Sequence, residues 1–287
     1  MKYLVGAVAV AACVLSVGAQ KRTAAKKAAT VKTEVVEAVD NGLHPRWRED
    51  VTPAQKAVLQ RLINNMVKVD GGIFKMGGTP DQGSDAHKDE KPVHEVTLTN
   101  YYIGRYEVTQ AEWEAVMGEN HSLEKNPKKA IGSLNYKKCL LFVRKLNLLT
   151  GLHFALPTEA QWEFAARGGN KSRGYKFSGS NNINEVGWCC TNVPQCEPMP
   201  VGLKKPNELG LYDMTGNVWE QCADVYAPYP SGPKTNPTGP EKGLDHVHRG
   251  GGVQMYARYC RVAMRRECGP SQEIYDMGLR LAHDEPW

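Results

Sequence analysis

The sequence predicts a loop-rich fold of a few helices and many short strands. Three observations predict it. The chain carries 28 Gly, 17 Pro, 6 Trp and 12 Tyr in 287 residues, a balance that suits aromatic anchors among turns rather than a helical bundle. Beyond Gly168 there is almost no helix signal. Beyond it, short strands alternate with Gly-, Pro- and Asn-rich loops. The length fits one large domain or two small ones, and 41% apolar content is enough for a sizeable core.

At the N-terminus, Lys2 precedes an apolar or small run from Leu4 to Ala19. This reads as an export signal over 1–19, cleaved after Val17-Gly18-Ala19; the run is too short for a comfortable membrane span. The rival reading is a relaxed lipoprotein box, Val10-Ala11-Ala12-Cys13. A lipidated Cys13 would give the only membrane association. Both readings export the protein to the periplasm or cell surface. Residues 20–50 read as a flexible linker, rich at first in Ala, Lys, Thr and Val. Much of the net charge of +5 sits there, at Lys21, Arg22, Lys26, Lys27 and Lys32. The remainder is near balance, with no basic stripe carrying interleaved aromatics, so no nucleic-acid partner is expected.

Thr52-Pro53-Ala54-Gln55 is a capping box with Pro at the first helical position. Val58, Leu59, Leu62, Ile63 and Met66 follow at helical spacing, which predicts an N-terminal helix over 51–66. The main domain is expected over 67–285. Met66–Val69 and Ile73–Met76, around Gly71-Gly72, look like a hairpin. His94–Leu98 alternates as a strand, and Tyr101–Tyr106 does so less cleanly. Thr109 and Thr158 open two more capping-box helices, each with a Trp (Trp113, Trp162) after the reciprocal Glu112 or Gln161. Both rings are expected in the core. Gly118 and Gly168 can end these helices. Lys138–Leu149 is a third amphipathic helix, stopped at Gly151.

Leu209 to Glu220 lacks helical or strand periodicity. Gly210 and Gly216 permit unusual backbone angles there. Asp213 and Glu220 supply hard oxygens to a turn that can aim carbonyls inward, as a calcium ion requires. The alternative is a tight turn whose acids face water. Export leaves seven cysteines in an oxidising compartment: Cys139, Cys189, Cys190, Cys196, Cys222, Cys260 and Cys268. An odd number leaves at least one unpaired or joined to another molecule. Cys189 or Cys190 with Cys196 could close a small loop, and the spacing matches no zinc ribbon or finger.

Several segments resemble the formylglycine-generating enzyme (sulfatase-modifying factor) family. They are Phe74–Gly77, Tyr106–Trp113, Leu156–Gly169, Pro206–Glu208 into the turn above, Arg249–Gly251, Cys260–Ala263 and Gly278–Leu281. Together they cover about residues 66 to 284 and resemble an exported member of Bacteroidetes-type bacteria. The resemblance implies an α+β, elaborated C-type-lectin-like fold with little regular secondary structure. It also implies a structural calcium site made by Asp213, the carbonyls of Gly216 and Val218, and Glu220.

The chemistry is where the sequence departs from the family. The sulfatase-activating members use copper, oxygen and two cysteines five apart after a Gly-Gly-Ser motif. Here the motif reads Gly250-Gly251-Gly252, and only Cys260 follows within Val253–Cys260. Counting from Gly250 sets Met255 and Cys260 against the pair, whereas Arg261-Val262-Ala263 aligns better with the strand beyond it. Cys260 is therefore a weak catalytic candidate, and copper is not expected. Cys268 could fold back beside Cys260, in which case a disulfide is expected. His246 and His248 flank Val247 on one strand face, a spacing for either a metal or an exposed polar face. Asp81, Asp85, His87, Asp89 and Glu90 form either a binding loop or a solvated insertion. The reading that follows is a calcium-stabilised binding module for a protein or glycan. Its alternatives are a metal-dependent oxidase of the formylglycine-generating type and a structural part of an outer-membrane secretion or gliding machine.

Overall fold

Capping chemistry sets the helix starts. The computed structural model describes residues 40–284; the expected signal peptide and most of the expected linker lie outside them. Thr52 caps α1 (Pro53–Asn64), with Gln55 completing the box. After α1 come β1 (Met66–Val69), β2 (Gly72–Met76), β3 (His94–Leu98) and β4 (Tyr101–Gly104). Thr109 with Glu112 caps α2 (Gln110–Met117), which ends at Gly118 with a φ of 84°. Asn135 caps α3 (Tyr136–Thr150), which ends at Gly151 with a φ of 66°. Both are left-handed C-caps that glycine adopts without strain.

β5 (Phe154–Ala155) leads to α4 (Glu159–Ala166), capped by Thr158 and Gln161. A short α5 (Ile183–Val186) follows. The remainder is strand and loop: β6 (Trp219–Val225), β7 (Lys234–Thr235), β8 (His246–Arg249), β9 (Arg265–Cys268), β10 (Met277–Gly278) and β11 (Ala282–Asp284). Three small sheets result, ordered β1-β4-β11-β5, β10-β6-β8-β9 and β2-β3-β7. The architecture is α+β with much loop. No helix among the described residues is long and apolar enough to cross a membrane.

Two expectations are corrected here. Met66–Val69 and Ile73–Met76 do not pair with each other. β1 pairs with β4, while β2 pairs with β3 in a different sheet. The Gly71-Gly72 step carries the chain between sheets: a Cβ at Gly71 would lie 2.2 Å from the Leu98 carbonyl oxygen. The end of the expected linker is also packed. Leu43 and Val51 are buried in the core and Trp47 packs against it. The Arg46 and Arg48 N–H groups donate to the carbonyls of Thr150 and Leu149 at 2.6 and 3.0 Å. Apolar side chains and satisfied backbone donors therefore tie residues 40–50 to the C-terminal end of α3.

One core region joins α1, α2 and α3, with Trp113 stacked on Phe142 at 5.3 Å between centroids. A second surrounds α4, in which Trp162, Phe164, Ala165 and Ala166 are all buried. So short a helix, buried nearly all round, depends on what packs against it. Trp162→Ala is expected to cost about 3–5 kcal/mol of unfolding free energy, and Trp219→Ala a similar amount. Urea unfolding measures both. Losses under about 1 kcal/mol in each would show that these rings do not hold the core.

Candidate functional site

The 209–220 turn is built on backbone angles that few residues tolerate. φ is positive at Gly210, Asp213, Gly216 and Asn217. At Gly216 a Cβ would lie 1.8 Å from the Trp188 carbonyl oxygen, so only glycine fits. The turn delivers Asp213 and Glu220 to the interior rather than to water, since they are 1% and 0% exposed.

Each acid has partners that local spacing did not reveal. Glu220, at the start of β6, accepts the Trp162 indole N–H at 2.6 Å. It also accepts Arg280 through Nε at 2.9 and 3.0 Å and through the terminal nitrogen at 2.7 Å. Asp213 accepts the Gly202 N–H at 2.7 Å through Oδ2, while its buried Oδ1 has no partner. Glu107, also buried, accepts the Val218 N–H at 3.0 Å and the Asn217 side-chain amide. Glu107 and Arg280 stood inside motifs of the family resemblance, but nothing in those motifs marked them as members of this centre.

The centre is short of positive charge. Three buried carboxylates interact with one guanidinium, that of Arg280. Burial pushes Asp213 up to about 6, with Glu220 adding and the Gly202 N–H and Arg280 opposing. Burial pushes Glu107 well above the carboxylate range, and the charges of Asp213 and Glu220 add to it. Hard oxygens and an orphaned carboxylate oxygen are donor chemistry that suits calcium, and a dication would take the place of the protons that burial favours on Glu107 and Asp213. Asp213 would offer an ion its free Oδ1 beside the Gly216 and Val218 carbonyls, while Glu220 would have to share oxygens that already accept from Arg280 and Trp162.

The glycine motif is explained sterically. A Cβ at Gly251 would lie 2.5 Å from Cys260 Sγ, and one at Gly252 would lie 2.1 Å from Asp276 Oδ2. Asp276 is fully buried and accepts the Gln254 N–H at 3.1 Å, and its Oδ1 has no partner. The Asp276 carboxylate thus fills the space that a serine side chain at 252 would need.

Cys260 itself is fully buried, among Phe177, Ile183, Val186 and Cys189. Burial pushes its thiol well above the usual range, and neighbouring Cys189 adds to that. A buried thiol held protonated is a poor nucleophile and a poor copper ligand. The residues in this segment therefore do not fit a two-thiolate copper site: Met255 is half-buried and the solvent-facing groups are Gln254, Tyr256 and Arg258. The Arg258 guanidinium lies 5.9 and 4.9 Å from the ring centroids of Tyr256 and Tyr259. The structure does bring one further thiol, Cys189, into the Cys260 cluster from a distant loop. Cys268 does not fold back beside Cys260. It lies in another core region, and its Sγ accepts the Gln221 amide at 3.4 Å. All seven of these cysteines are free thiols.

Two surface expectations are corrected. His246 and His248 do not line an exposed strand face. His246 stacks on Tyr136 at 3.4 Å, and His248 is buried edge-on to Trp219 at 4.7 Å between centroids. Burial lowers His248 to about 3, which keeps it neutral at ordinary pH. The acidic loop is not a solvated insertion. Its Glu90 is fully buried and ion-paired with Arg261, Asp81 meets Arg167 at 3.1 Å, and Asp85 meets Lys176 at 2.6 Å. His87, Asp89 and Glu90 bring ligand-type atoms within 4.8 Å of one another, but Glu90 is already committed to Arg261.

Known proteins agree with this architecture. Residues 52–285 match the model of the sulfatase-modifying factor enzyme 1-like domain. The chain is 29% identical over 272 residues to chaperone protein LppX of Paenibacillus barcinonensis, spanning 77% of this chain and 90% of that one. It is 29% identical over 291 residues to the formylglycine-generating enzyme of Streptomyces coelicolor, spanning 79% and 92%. The solved structure of Treponema denticola variable protein 1 superposes with a TM-score of 0.68 at 29% identity, over 76% of this chain and 94% of that one. With its motifs, its loop-rich α+β fold and these matches in agreement, the chain belongs to the family of sulfatase-modifying factor enzyme 1-like domains, the formylglycine-generating enzyme family.

Proposed function

We propose that this domain is a binding module working outside the cytoplasm, stabilised by calcium and lacking formylglycine-generating activity. Its ligand, a protein or a glycan, docks on the surface around Tyr256, Arg258 and Tyr259. The observation that carries this reading is the state of Cys260. It is the only cysteine in its segment, sealed beneath Gly251, with its thiol held protonated by burial. The same segment exposes Tyr256 at 59% and Arg258 beside it. Tyrosine and arginine are, with tryptophan, enriched among the few residues that carry most of the binding energy at interfaces. The family fold suits such a change of role, because function resides in the site grafted on a fold. Export rests on the apolar run from Leu4 to Ala19. Mass analysis of the mature N-terminus tests it: Gln20 is expected, and an unprocessed Met1 would contradict export by this signal.

One observation favours a second reading, a metal-dependent oxidase: Cys189 shares the Cys260 cluster. The two readings separate in one assay. Incubated with copper, a reductant, oxygen and a cysteine-containing sulfatase peptide, the protein is expected to leave the peptide thiol unchanged by mass spectrometry. An aldehyde product that disappears in Cys260→Ala and Cys189→Ala would establish the oxidase instead.

Calcium is tested by stability. A ligand that binds only the native state adds about 2.7 kcal/mol at a hundredfold excess over its dissociation constant. Chelation is therefore expected to lower the melting temperature, and Asp213→Ala to abolish that response. A melting curve indifferent to chelator would remove the ion from the account.

A further inference from the structure

We propose that the cleft between the start of α4 and the loop around residues 227–240 is a second binding site. It takes an aliphatic ammonium group, from a lysine side chain or a free diamine, with Asp224 as the anionic anchor. The cleft measures about 470 Å³, within the range of about 300–1,000 Å³ typical of small-ligand sites. None of its lining residues belongs to the 250–260 segment or to the Asp213 centre, so it is independent of the function proposed above.

The charge at the floor of the cleft is what selects the ligand. Glu159 is spent on Arg265, which donates to its two oxygens at 2.8 and 2.7 Å. The other Arg265 donors go to the carbonyls of Asp89 and Ala227 at 3.3 and 2.9 Å. Asp224 differs. It is 5% exposed and accepts the Glu159 N–H at 2.8 Å, but it forms no ion pair among the described residues. Gly239, with a φ of +73°, brings the covering loop across this carboxylate; a Cβ there would lie 3.3 Å from Asp224 Oδ1. Lys234 is exposed at the rim. The one uncommitted charge at the floor is therefore negative.

The walls suit an alkyl chain. Met76, Tyr229, Pro228, Pro230, Pro237 and Pro240 line the cleft. An ammonium on an aliphatic stem matches both parts, because its head can pair with a desolvated carboxylate while its methylenes cover apolar surface. A sugar would satisfy Asp224 with hydroxyls and leave its charge uncompensated. Burial pushes Asp224 up to about 7, and the neighbouring Glu159 charge adds to this while Arg265 opposes it. The other titratable groups around it are Cys222 on β6, Tyr136 on α3 and His246 on β8, with Tyr229, His94 and Lys234 of the cleft. An ammonium pairs with the ionised carboxylate, so affinity should increase as pH rises through about 7.

Calorimetric titration tests the site with three probes. Nα-acetyl-lysine methylamide stands for a peptide lysine, 1,5-diaminopentane for a free diamine and methyl glucoside for a sugar. At least one amine is expected to bind, with the stronger of the two identifying the source, and methyl glucoside is not. Asp224→Asn preserves the acceptor for the Glu159 N–H and should weaken amine binding by at least about tenfold. Thr238→Trp, at an exposed rim position, should block entry without burdening the core and serves if the Asn variant fails to fold. Binding of neither amine, preference for methyl glucoside, amine affinity unchanged in Asp224→Asn or in Thr238→Trp, or affinity that falls with rising pH would each overturn the proposal.

Discussion

Buried pairing between arginines and carboxylates is the constraint on which the rest of this structure depends. Arg249, Arg261, Arg265 and Arg280 all come from the C-terminal part of the chain, and all are fully buried. Each meets a carboxylate from earlier in the sequence: Arg249 with Glu163, Arg261 with Glu90, Arg265 with Glu159, Arg280 with Glu220. Charges taken out of water need partners of good geometry, and breaking such a pair strands a charge in a medium that cannot solvate it. The arginines also satisfy carbonyls that no sheet or helix covers. Arg280 donates to Gly104 and Tyr212, Arg265 to Asp89 and Ala227, and Arg249 to Met264. In a chain with so little regular structure, these forks replace missing ladder bonds and fix which loop lies beside which.

Helix α4 is where these constraints meet. Glu163 faces Arg249 and Arg167, Glu159 faces Arg265, and Trp162 reaches Glu220. One short helix therefore borders both the acidic centre of the 209–220 turn and the cleft that holds Asp224. The two places differ in their charge balance. The first holds three carboxylates against one arginine, a deficit suited to an inorganic dication. The second holds one uncommitted carboxylate behind apolar walls, suited to an organic monocation.

Local chemistry was legible in the sequence, and pairings over long distances were not. The capping boxes at Thr52, Thr109 and Thr158 announced three helices, because a cap is read within four residues. The strand at His94–Leu98 and the burial of Trp113 and Trp162 were visible for similar reasons. What stayed hidden was partner choice. The expected hairpin at Gly71-Gly72 is a crossing between two sheets. His246 and His248 have the alternation of an exposed strand face, yet Tyr136 and Trp219 cover them. The loss of the motif serine could be read directly, but its physical reason, the Asp276 carboxylate against Gly252, required the fold. Glu107 joins the acidic centre across more than a hundred residues of chain, through Asn217 and Val218.

The central claim is that the buried pairs hold the loops in register. A double-mutant cycle on the pair between α4 and β8 tests it most directly, using Glu163→Gln, Arg249→Met and the double variant in equilibrium unfolding. Each single change is expected to cost about 3–5 kcal/mol, because it takes from a buried charge its nearest partner and leaves only the second one, Arg167 for Glu163 and Glu159 for Arg249. The double variant should cost less than the sum by well over about 1 kcal/mol, since the second change removes the stranded charge. Costs that add to within about 0.5 kcal/mol would contradict the account, because the two residues would then contribute to stability independently.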